Sequence, residues 1–547
     1  MESATATVPP PAAAVRGKRA LNATTVVLAL AAVGSIGLGE IAVPSNDAAQ
    51  YLSVARHLLA GEGAVTSIVY YEEHVAIGGI PVPQTVFPPG YPAAIAALSA
   101  TGIPPQDAAL LVGLASLFGS VALMVALSRR MGRSRAATAF VAFAWLSYVP
   151  AWYYLVRMNS EMPFILLTLA SVYFLVRRSQ RSALFLAGMA AAGAFCVRYA
   201  GVFFVLSVLA WLGVELLRRR DRDALLDIAA FAPPPLLAML WLFGRNWILV
   251  GDPKGGNAEG ASASAGELLL QLYYGVSEAT GFSRTGWEEH RLPELALLVF
   301  GAAALLSLAA KRSDFTFDRA ALADEARRPG WDICCFYIGT TTLLLGYLAA
   351  TTTSVHLSDR MLLPILPFGL LLAPSVPAVA RAGGRRATAW TCATFVVFLL
   401  GQSAVYSERS RRLEEASAVE DVMTAAIADA RDAGRPSELW ASLERRAAVI
   451  GNQPQLLGEI LRTPVVGLSQ SAYTSKTWSV DDVAALVRRY GVEHVLVFPE
   501  ILGGSDGPPE GHLFTDLMEG RVASWLSEIH SSRDLRVYRV ERERLPR

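Results

Sequence analysis

Long apolar segments separated by short charged turns fill the first 405 residues of the chain. Most of them reach the roughly 20 residues that an α-helix needs to cross about 30 Å of hydrocarbon. This pattern predicts a polytopic α-helical membrane protein and excludes a disordered, fibrous or wholly soluble one. The predicted spans cover residues 22–44, 106–128, 135–155, 161–176, 182–197, 199–217, 224–244, 293–311, 332–353, 361–379 and 387–406.

The apolar block 182–217 is too long for one crossing at about 1.5 Å per residue, and we interpret it as two helices. Basic clusters at 177–181 and 218–222 flank it. A single helix would leave one of these clusters outside the cell. A hairpin with its tip near Arg198 and Tyr199 keeps both clusters on the cytoplasmic side.

With this hairpin the chain crosses the membrane eleven times, and each short basic loop obeys the positive-inside rule. The N-terminus is then cytoplasmic, and residues 1–21, rich in Pro and Ala, form a disordered leader. We expect the transmembrane domain to cover residues 22–406 and to lie in a bacterial plasma membrane. Three segments should face the outside: 45–105, 157–161 and 245–292.

The last part of the chain has the composition of a soluble domain. Residues 406–547 carry 18 Lys/Arg and 22 Asp/Glu, a large share of the 48 and 47 in the whole chain. Short apolar runs alternate there with helical patterns, which predicts an extracytoplasmic α/β domain over residues 407–547. The predicted elements are helices at about 408–432, 479–490 and 514–530, and strands at 447–450, 464–468, 492–498 and 535–540.

Composition agrees with this division. The chain is 53% hydrophobic and 17% charged, against about 25% charged residues in soluble proteins. The net charge of +1 gives no support for nucleic-acid binding, which needs a basic face. All four cysteines fall in apolar segments, so the tail has no disulfide framework.

Ionisable residues collect at the outer ends of the predicted helices. Charged groups at membrane depth cost at least a few kcal/mol, so a group of them needs an explanation. A polar vestibule that opens outward would use carboxylates for proton transfer and arginines for an anionic ligand. The alternative is that each residue pairs with a neighbour or reaches the interface. The group comprises Glu40, Asp47, Arg157, Glu161, Arg198, Arg245, His356, Asp359 and Arg360.

Two of the carboxylates have simple structural alternatives. Asp47 directly follows the first predicted span, where Asp would also serve as a helix N-cap. Glu161 precedes Met162-Pro163, where it would also serve as a favourable charge at a helix start.

Several motifs resemble those of one enzyme superfamily. Asp47 is followed by the helix Tyr51-Leu52-Ser53-Val54-Ala55 and later by the turn Pro88-Pro89-Gly90-Tyr91-Pro92. Together with three later stretches, they resemble the GT-C glycosyltransferases, which include protein O-mannosyltransferases and aminoarabinose transferases. The resemblance covers most of residues 22–406. The later stretches are Arg157-Met158-Asn159-Ser160-Glu161-Met162-Pro163, Arg245 to Pro253, and Asp359-Arg360-Met361-Leu362-Leu363-Pro364.

The resemblance implies transfer of a sugar from a polyprenyl-phosphate donor in the membrane to an acceptor on the outer side, with inversion. Asp47 is then the candidate base, and Glu161 a second carboxylate that orients the acceptor or an arginine. Arginines bind phosphate bidentately, which makes Arg198, Arg245, Arg360 and Arg157 candidates for the donor phosphate. Tyr51, Tyr91, His356 and Asp359 are expected to line the substrate site.

One departure from the superfamily pattern concerns the base. Members often carry Asp-Glu in the first outer loop, whereas this chain has Asn46-Asp47. The sugar remains open, as does the acceptor, which could be a glycan, a lipid, a protein or a cell-wall polymer.

A divalent metal ion is a further candidate ligand of the first outer loop. Glu73 and His74, next to Glu72, offer the oxygen and imidazole ligands that several metals accept. Because no metal-ligand spacing supports this site, solvated loop charges are the simpler interpretation.

Two other functions are compatible with the same residues. A transporter or flippase of lipid-linked sugars would also bind a phosphate through arginines, but the chain lacks the paired repeats of many transporters. A membrane-anchored sensor would use its tail to bind a partner, which leaves the outer carboxylates and arginines without a role.

Overall fold

The computed structural model shows a mostly helical protein with a mixed sheet near its C-terminus. It describes residues 43–70, 74, 77–177, 180–253, 255, 266, 271, 319–326, 328, 330–351, 358–375, 385–434, 436–468, 479–499 and 513–546.

The described helices follow the predicted apolar segments closely in the first half of the chain. They are α1 (Asn46–Leu59), α2 (Gly90–Ser99), α3 (Pro105–Arg130), α4 (Arg135–Leu146), α5 (Val149–Val156), α6 (Glu161–Leu175), α7 (Arg181–Val197), α8 (Gly201–Arg219), α9 (Arg222–Phe231) and α10 (Pro233–Val250). Those of the second half are α11 (Arg319–Ala326), α12 (Trp331–Thr351), α13 (Asp359–Leu362), α14 (Leu366–Leu372), α15 (Arg385–Asp432), α16 (Ser437–Glu444), α17 (Pro454–Leu461), α18 (Val480–Tyr490) and α19 (Leu513–Met518).

The protein is an integral membrane protein with several membrane-spanning helices. Among the described residues, α3, α8 and α12 are each long and apolar enough to cross a bilayer alone. The bent pairs α4–α5 and α9–α10, with bends of 43° and 41°, raise this number to five if each pair is one span. The predicted span 293–311 and all but the last two residues of the span 22–44 lie outside the described residues, and the count of eleven stays a prediction.

The predicted division of block 182–217 is confirmed. Helix α7 ends at Val197, Arg198 has an extended backbone, and α8 begins at Gly201. A side chain at position 201 would place its Cβ 2.5 Å from the Cα of Phe195, so glycine permits this tight connection.

The predicted span 361–379 is wrong as a single continuous helix. Its described part consists of α13, a 3₁₀ turn at Leu363–Ile365, α14, and a second 3₁₀ turn at Ala373–Ser375. Pro364, Pro367 and Pro374 lack the N–H that continues an α-helical ladder, which explains the interruptions.

The tail forms the α/β pattern that the sequence predicts. Its strands are β4 (Val449–Gly451), β5 (Val465–Val466), β6 (His494–Val497), β7 (Leu526–Ser531) and β8 (Arg536–Val540). β4 pairs in parallel with β5 and β6, whereas β8 pairs antiparallel with β6 and β7. Apolar clusters cover the sheet, one containing Val483, Val487 and Trp525, the other Ile427, Leu439 and Leu457.

Two expectations for the tail need correction. The predicted helix 514–530 is wrong, because α19 stops at Met518 and residues 526–531 form β7. Gly520, with φ +78, ends the helical turn, and Leu526 is buried by pairing with β8. In addition, α15 runs without interruption through residue 406, so the composition changes inside a helix.

Residues 45–105, the predicted first outer loop, share a sheet with the tail. The loop contains β1 (Val65–Thr66) and β3 (Val82–Pro83), which pair antiparallel, and β2 (Ile68–Val69). β2 pairs in parallel with β5, which gives the six-stranded order β2-β5-β4-β6-β8-β7. On α1 of the same loop, Arg56 binds Glu459 of α17 through two hydrogen bonds of 2.9 and 2.5 Å. These contacts fix the helix that carries Asp47.

Candidate active site

Four charged side chains from four separate segments meet at one place. The Arg360 guanidinium contacts Asp47 Oδ2 at 2.6 Å and also donates to Glu161 Oε1. Arg198 donates to the same Glu161 oxygen at 2.6 Å and to Ser160 Oγ at 3.0 Å. The cluster therefore alternates two carboxylates with two guanidiniums, and we call Asp47, Glu161, Arg198 and Arg360 the charged cluster.

Asp47 is held by the first turn of α1. The N-cap of this helix is Ser45, whose Oγ accepts from the Ala48 N–H at 3.0 Å and donates to Asn159 Oδ1 at 2.5 Å. The alternative interpretation of Asp47 as the N-cap is therefore wrong. Its carboxylate is free to point at Arg360.

Glu161 is the first residue of α6 and is completely buried. The preceding turn contains Met158 with φ +54, a left-handed conformation that costs a non-glycine residue roughly 1–2 kcal/mol. A buried carboxylate is stable only when it is paired, and here two guanidiniums bind one of its oxygens. The other oxygen, Oε2, has no hydrogen-bond partner among the described residues.

Arg198 lies at the connection between α7 and α8, where a close backbone contact fixes it. A Cβ at Gly90 would lie 2.4 Å from the carbonyl oxygen of Cys196. The Pro-Pro-Gly-Tyr-Pro turn can therefore touch the end of α7 only because position 90 is glycine. The motif thus sets the position of the residue two places after Cys196, which is Arg198.

Arg360 is supported by a second ion pair beside the cluster. Asp359 is buried, accepts from Tyr154 Oη at 2.8 Å, and pairs with Arg409 at 2.6 Å. The Asp359 carboxylate also accepts the backbone N–H of Arg360 at 2.8 Å. This places the predicted lining residue Asp359 behind Arg360, where it orients the arginine.

The charged cluster can be reached by a ligand. The side chains of Asp47, Arg198 and Arg360 are 20%, 16% and 26% exposed, whereas Glu161 is closed off. Asp47 Oδ1 accepts no hydrogen bond among the described residues, and each guanidinium has five N–H donors, of which the carboxylates use few. The cluster therefore has free capacity for a hydroxyl proton and for an anion.

The predicted lining tyrosines pack under the cluster. Tyr51 donates to or accepts from Ser160 Oγ at 3.2 Å, and its ring meets Phe87 and Tyr91 edge-on at 5.1 and 5.2 Å. Burial raises the pKa of both Tyr51 and Tyr91, so both stay protonated at neutral pH. The two tyrosines therefore pack against Ser160 and support it.

Two predicted phosphate ligands lie outside the charged cluster. Arg245 donates to the carbonyl oxygens of Gln84 at 2.8 Å and Ala64 at 3.3 Å, so it fastens the first outer loop to α10. Arg157 closes the end of α5 and borders a separate cavity.

Of the two proposed metal ligands, only His74 lies in the described chain. His74 is buried with its Nε2 3.1 Å from Gln84 Oε1, and Glu73 and His356 lie outside the described residues. No group of three His, Cys, Asp or Glu side chains suited to a metal occurs among the residues that the structure describes. Burial lowers the pKa of His74 to about 4, so its imidazole is neutral at pH 7.

Two supporting residues are absent from the predicted site. Arg409 and Ser160 bind Asp359 and Arg198, respectively; Ser160 lies in the motif at 157–163, whereas Arg409 belongs to no motif with recognisable spacing. Arg409 does have one signal in the sequence, because it is the first arginine after the last predicted apolar span.

Comparisons with known proteins agree with this geometry. Residues 87–240 match the family described as Dolichyl-phosphate-mannose-protein mannosyltransferase. That range includes the Gly90 turn, Glu161 and Arg198, whereas Asp47 and Arg360 lie outside it. No curated protein sequence matches the chain significantly.

Solved structures extend the similarity to nearly the whole chain. ArnT from Cupriavidus metallidurans bound to undecaprenyl phosphate matches with a TM-score of 0.51 at 14% identity, covering 94% of this chain and 98% of that chain. The archaeal oligosaccharyltransferase AglB from Archaeoglobus fulgidus, in complex with an inhibitory peptide and a dolichol-phosphate, has a TM-score of 0.48 at 11% identity, covering 88% of this chain and 70% of that chain. The ArnT match shows a shared fold. The family match over residues 87–240 and this shared fold together confirm the resemblance to GT-C glycosyltransferases that the motifs indicate.

Proposed function

We propose that the protein transfers one sugar from a polyprenyl-phosphate donor to an acceptor hydroxyl on the extracytoplasmic side, with inversion at the anomeric carbon. The observation that carries this proposal is the charged cluster, in which an accessible carboxylate touches a guanidinium that can bind a phosphate. A transferase needs both groups within reach of one anomeric carbon.

Asp47 acts as the general base in this reaction. The acceptor hydroxyl attacks the anomeric carbon while its proton passes to Asp47 Oδ1. The bond between the anomeric carbon and the phosphate oxygen breaks, and the polyprenyl phosphate leaves as an anion. Single displacement from the opposite face accounts for inversion.

Arg198 and Arg360 bind the donor phosphate and stabilise the charge that develops on the leaving group. Glu161 holds both guanidiniums in place through one oxygen, so they are oriented before the donor arrives. The donor class is supported by the family match and by the fold shared with ArnT, whose structure contains undecaprenyl phosphate.

The function is tested by supplying the purified protein in proteoliposomes with labelled polyprenyl-phosphate sugars. Membrane fractions, peptides and polysaccharides serve as acceptors, and the label is followed into lipid, protein and polysaccharide. We expect transfer from at least one donor and release of polyprenyl phosphate in equal amount. Movement of the intact lipid-linked sugar across the bilayer without loss of the sugar would instead identify a flippase.

The side of the membrane is tested separately. Single cysteines introduced at positions 252 and 500, in a background without the native cysteines, should react with an impermeant maleimide added outside intact cells. Protection of position 500 would place the tail in the cytoplasm and contradict the eleven-span topology.

A further inference from the structure

A cavity of 190 Å³ lies beside the charged cluster and has no part in the function described so far. Four regions of the chain line it: the start of α1, the end of α5, the long helix α15, and the start of α17. Its lining residues in the described part of the chain include Pro44, Asn46, Arg157, Ala416, Val419 and Gln453.

The segment 157–161 connects this cavity to the charged cluster along the chain. Arg157, at one end of the segment, borders the cavity, and Glu161, at the other end, binds both cluster arginines. Asp47 directly follows the lining residue Asn46 in the first turn of α1. The cavity therefore borders the residue next to the candidate base.

The lining combines hydrogen-bonding groups with apolar surfaces. Asn46 and Gln453 have amide side chains, and Arg157 has a guanidinium that interacts electrostatically with Glu420 and Asp47. Amides offer both donors and acceptors, which suits a ligand with several hydroxyls. Val419 and Pro44 offer the apolar faces against which the C–H groups of a sugar ring can pack.

The volume limits the size of the ligand. Sites for drug-sized molecules usually measure about 300–1,000 Å³, so this cavity suits a single small unit. An extended peptide would need a longer groove.

We propose that this cavity binds one sugar unit of a saccharide acceptor, with Arg157, Asn46 and Gln453 as its hydrogen-bonding residues. The proposal rests on the transferase function above and assigns the acceptor class. Because Gln453 belongs to the tail, the tail takes part in acceptor selection.

The test uses short-chain butyl glycosides of single hexoses and pentoses as acceptors, and a peptide containing Ser and Thr as the competing class. The donor is the labelled polyprenyl-phosphate sugar that is active in the assay above. We expect transfer to at least one glycoside. Ala416→Trp should fill the cavity and raise the acceptor KM about tenfold or more, since pockets discriminate strongly against added bulk. Gln453→Ala should raise it about fivefold, as expected for a lost hydrogen bond.

Ala425→Trp is the matched control, because Ala425 lies on the same helix with its side chain exposed. It should leave the acceptor KM unchanged. The binding of labelled polyprenyl phosphate to Ala416→Trp, measured by filter binding, should stay within about twofold of wild type. This result would show that the variant is folded.

The outcomes separate the two proposals. Transfer to peptide alone, or an unchanged acceptor KM in Ala416→Trp, overturns the saccharide site while the transferase function stands. Absence of both transfer and donor hydrolysis with every donor overturns the transferase function itself, and the acceptor site with it.

Discussion

At the scale of single residues, the two carboxylates of the charged cluster have different surroundings and therefore different roles. Glu161 is fully buried and accepts from two guanidiniums on one oxygen. Asp47 is 20% exposed and has one oxygen without a protein partner in the described chain. A group that orients arginines is best enclosed, whereas a group that takes a proton must meet the substrate.

Replacing Asp47 with Asn should reduce transfer by about 100-fold or more, because general bases typically contribute 10²–10⁴-fold. Donor binding and melting temperature should stay near wild type, since Asn keeps the shape of the side chain. Asp107→Asn is the control. Asp107 is also a carboxylate in the first turn of a helix, but it is exposed and does not belong to the charged cluster. Full transfer by Asp47→Asn would remove Asp47 as the base.

His74 predicts a dependence of stability on pH. Its pKa is lowered by burial to about 4, whereas in the unfolded chain it is about 6.5. Between these values the unfolded chain binds a proton that the folded protein does not, so stability falls as pH decreases from 6.5 towards 4. Melting temperatures measured over this range should decrease more steeply for wild type than for His74→Gln; parallel curves would show that the histidine contributes nothing.

Several site residues are predictable from their cost in a membrane, and others are not. Asp47, Glu161, Arg198 and Arg360 are expensive at membrane depth, and the structure brings these four together. Arg245 has the same cost but binds carbonyl oxygens. The sequence cannot separate these cases, because a guanidinium is satisfied equally well by a carboxylate and by backbone carbonyls.

At the scale of elements, interruptions of helices deliver the charged side chains. Glu161 begins α6, Arg198 follows the end of α7, and Arg360 lies in the short α13. Groups at helix ends can point along the axis into a shared space, whereas groups inside a helix face its neighbours. The proline-broken segment after Arg360 and the glycine contacts around Arg198 therefore belong to the construction of the site.

Gly90→Ala should both destabilise the protein and weaken donor binding. The added Cβ would lie 2.4 Å from the Cys196 carbonyl oxygen, so the turn and the end of α7 must separate, at a cost of about 1–3 kcal/mol. Arg198 would move with the end of α7. Thermal unfolding and titration with labelled polyprenyl phosphate measure the two effects.

Gly213→Ala provides the comparison, because its added Cβ inside α8 would meet no other segment of the described chain within 4 Å. It should be neutral or stabilising by up to about 1 kcal/mol. Equal behaviour of the two variants would show that the contact between the turn and α7 does not position Arg198.

Whether a segment forms a helix or a strand is largely predictable from the spacing of its apolar residues. The ends of these elements are set by charged and capping residues. The division at Arg198 follows from charge placement, and the helix Val480–Tyr490 has the predicted start at Ser479, with a capping box to Asp482. The wrong helix at 514–530 has apolar residues at positions compatible with either period. Residues 526–531 form a strand instead, because β8 is available to pair with them.

At the scale of the whole molecule, the first outer loop and the tail are joined by charge as well as by the sheet. Glu459 is nearly buried and accepts from Arg56 and, at 3.2 Å, from Gln106 at the start of α3. The tail therefore contacts both α1, which carries Asp47, and the helical body. This connection spans about 400 residues of sequence, and no local pattern predicts it.

A double-mutant cycle of Arg56→Ala and Glu459→Ala should show a coupling of about 1–3 kcal/mol in thermal unfolding, because the pair is bidentate and half enclosed. Transfer should slow in each single variant as α1 loses its support. The exposed pair Arg411 and Glu415 is the control and should couple by less than about 0.5 kcal/mol. A coupling at Arg56 and Glu459 no larger than this would show that the pair does not fasten the loop.

The strand Ile68–Val69 has a consequence for biosynthesis. It is made early, yet its partner, Val465–Val466, leaves the ribosome some 400 residues later. Until then the strand Ile68–Val69 has an unpaired edge. The sheet of a tail produced without the loop has an unpaired edge as well. An unpaired edge can pair with strands of other chains, so both the loop and the tail alone are prone to aggregate. Pairing over such a separation also makes assembly slow. We therefore expect the two pieces, secreted as separate chains, to require each other for solubility.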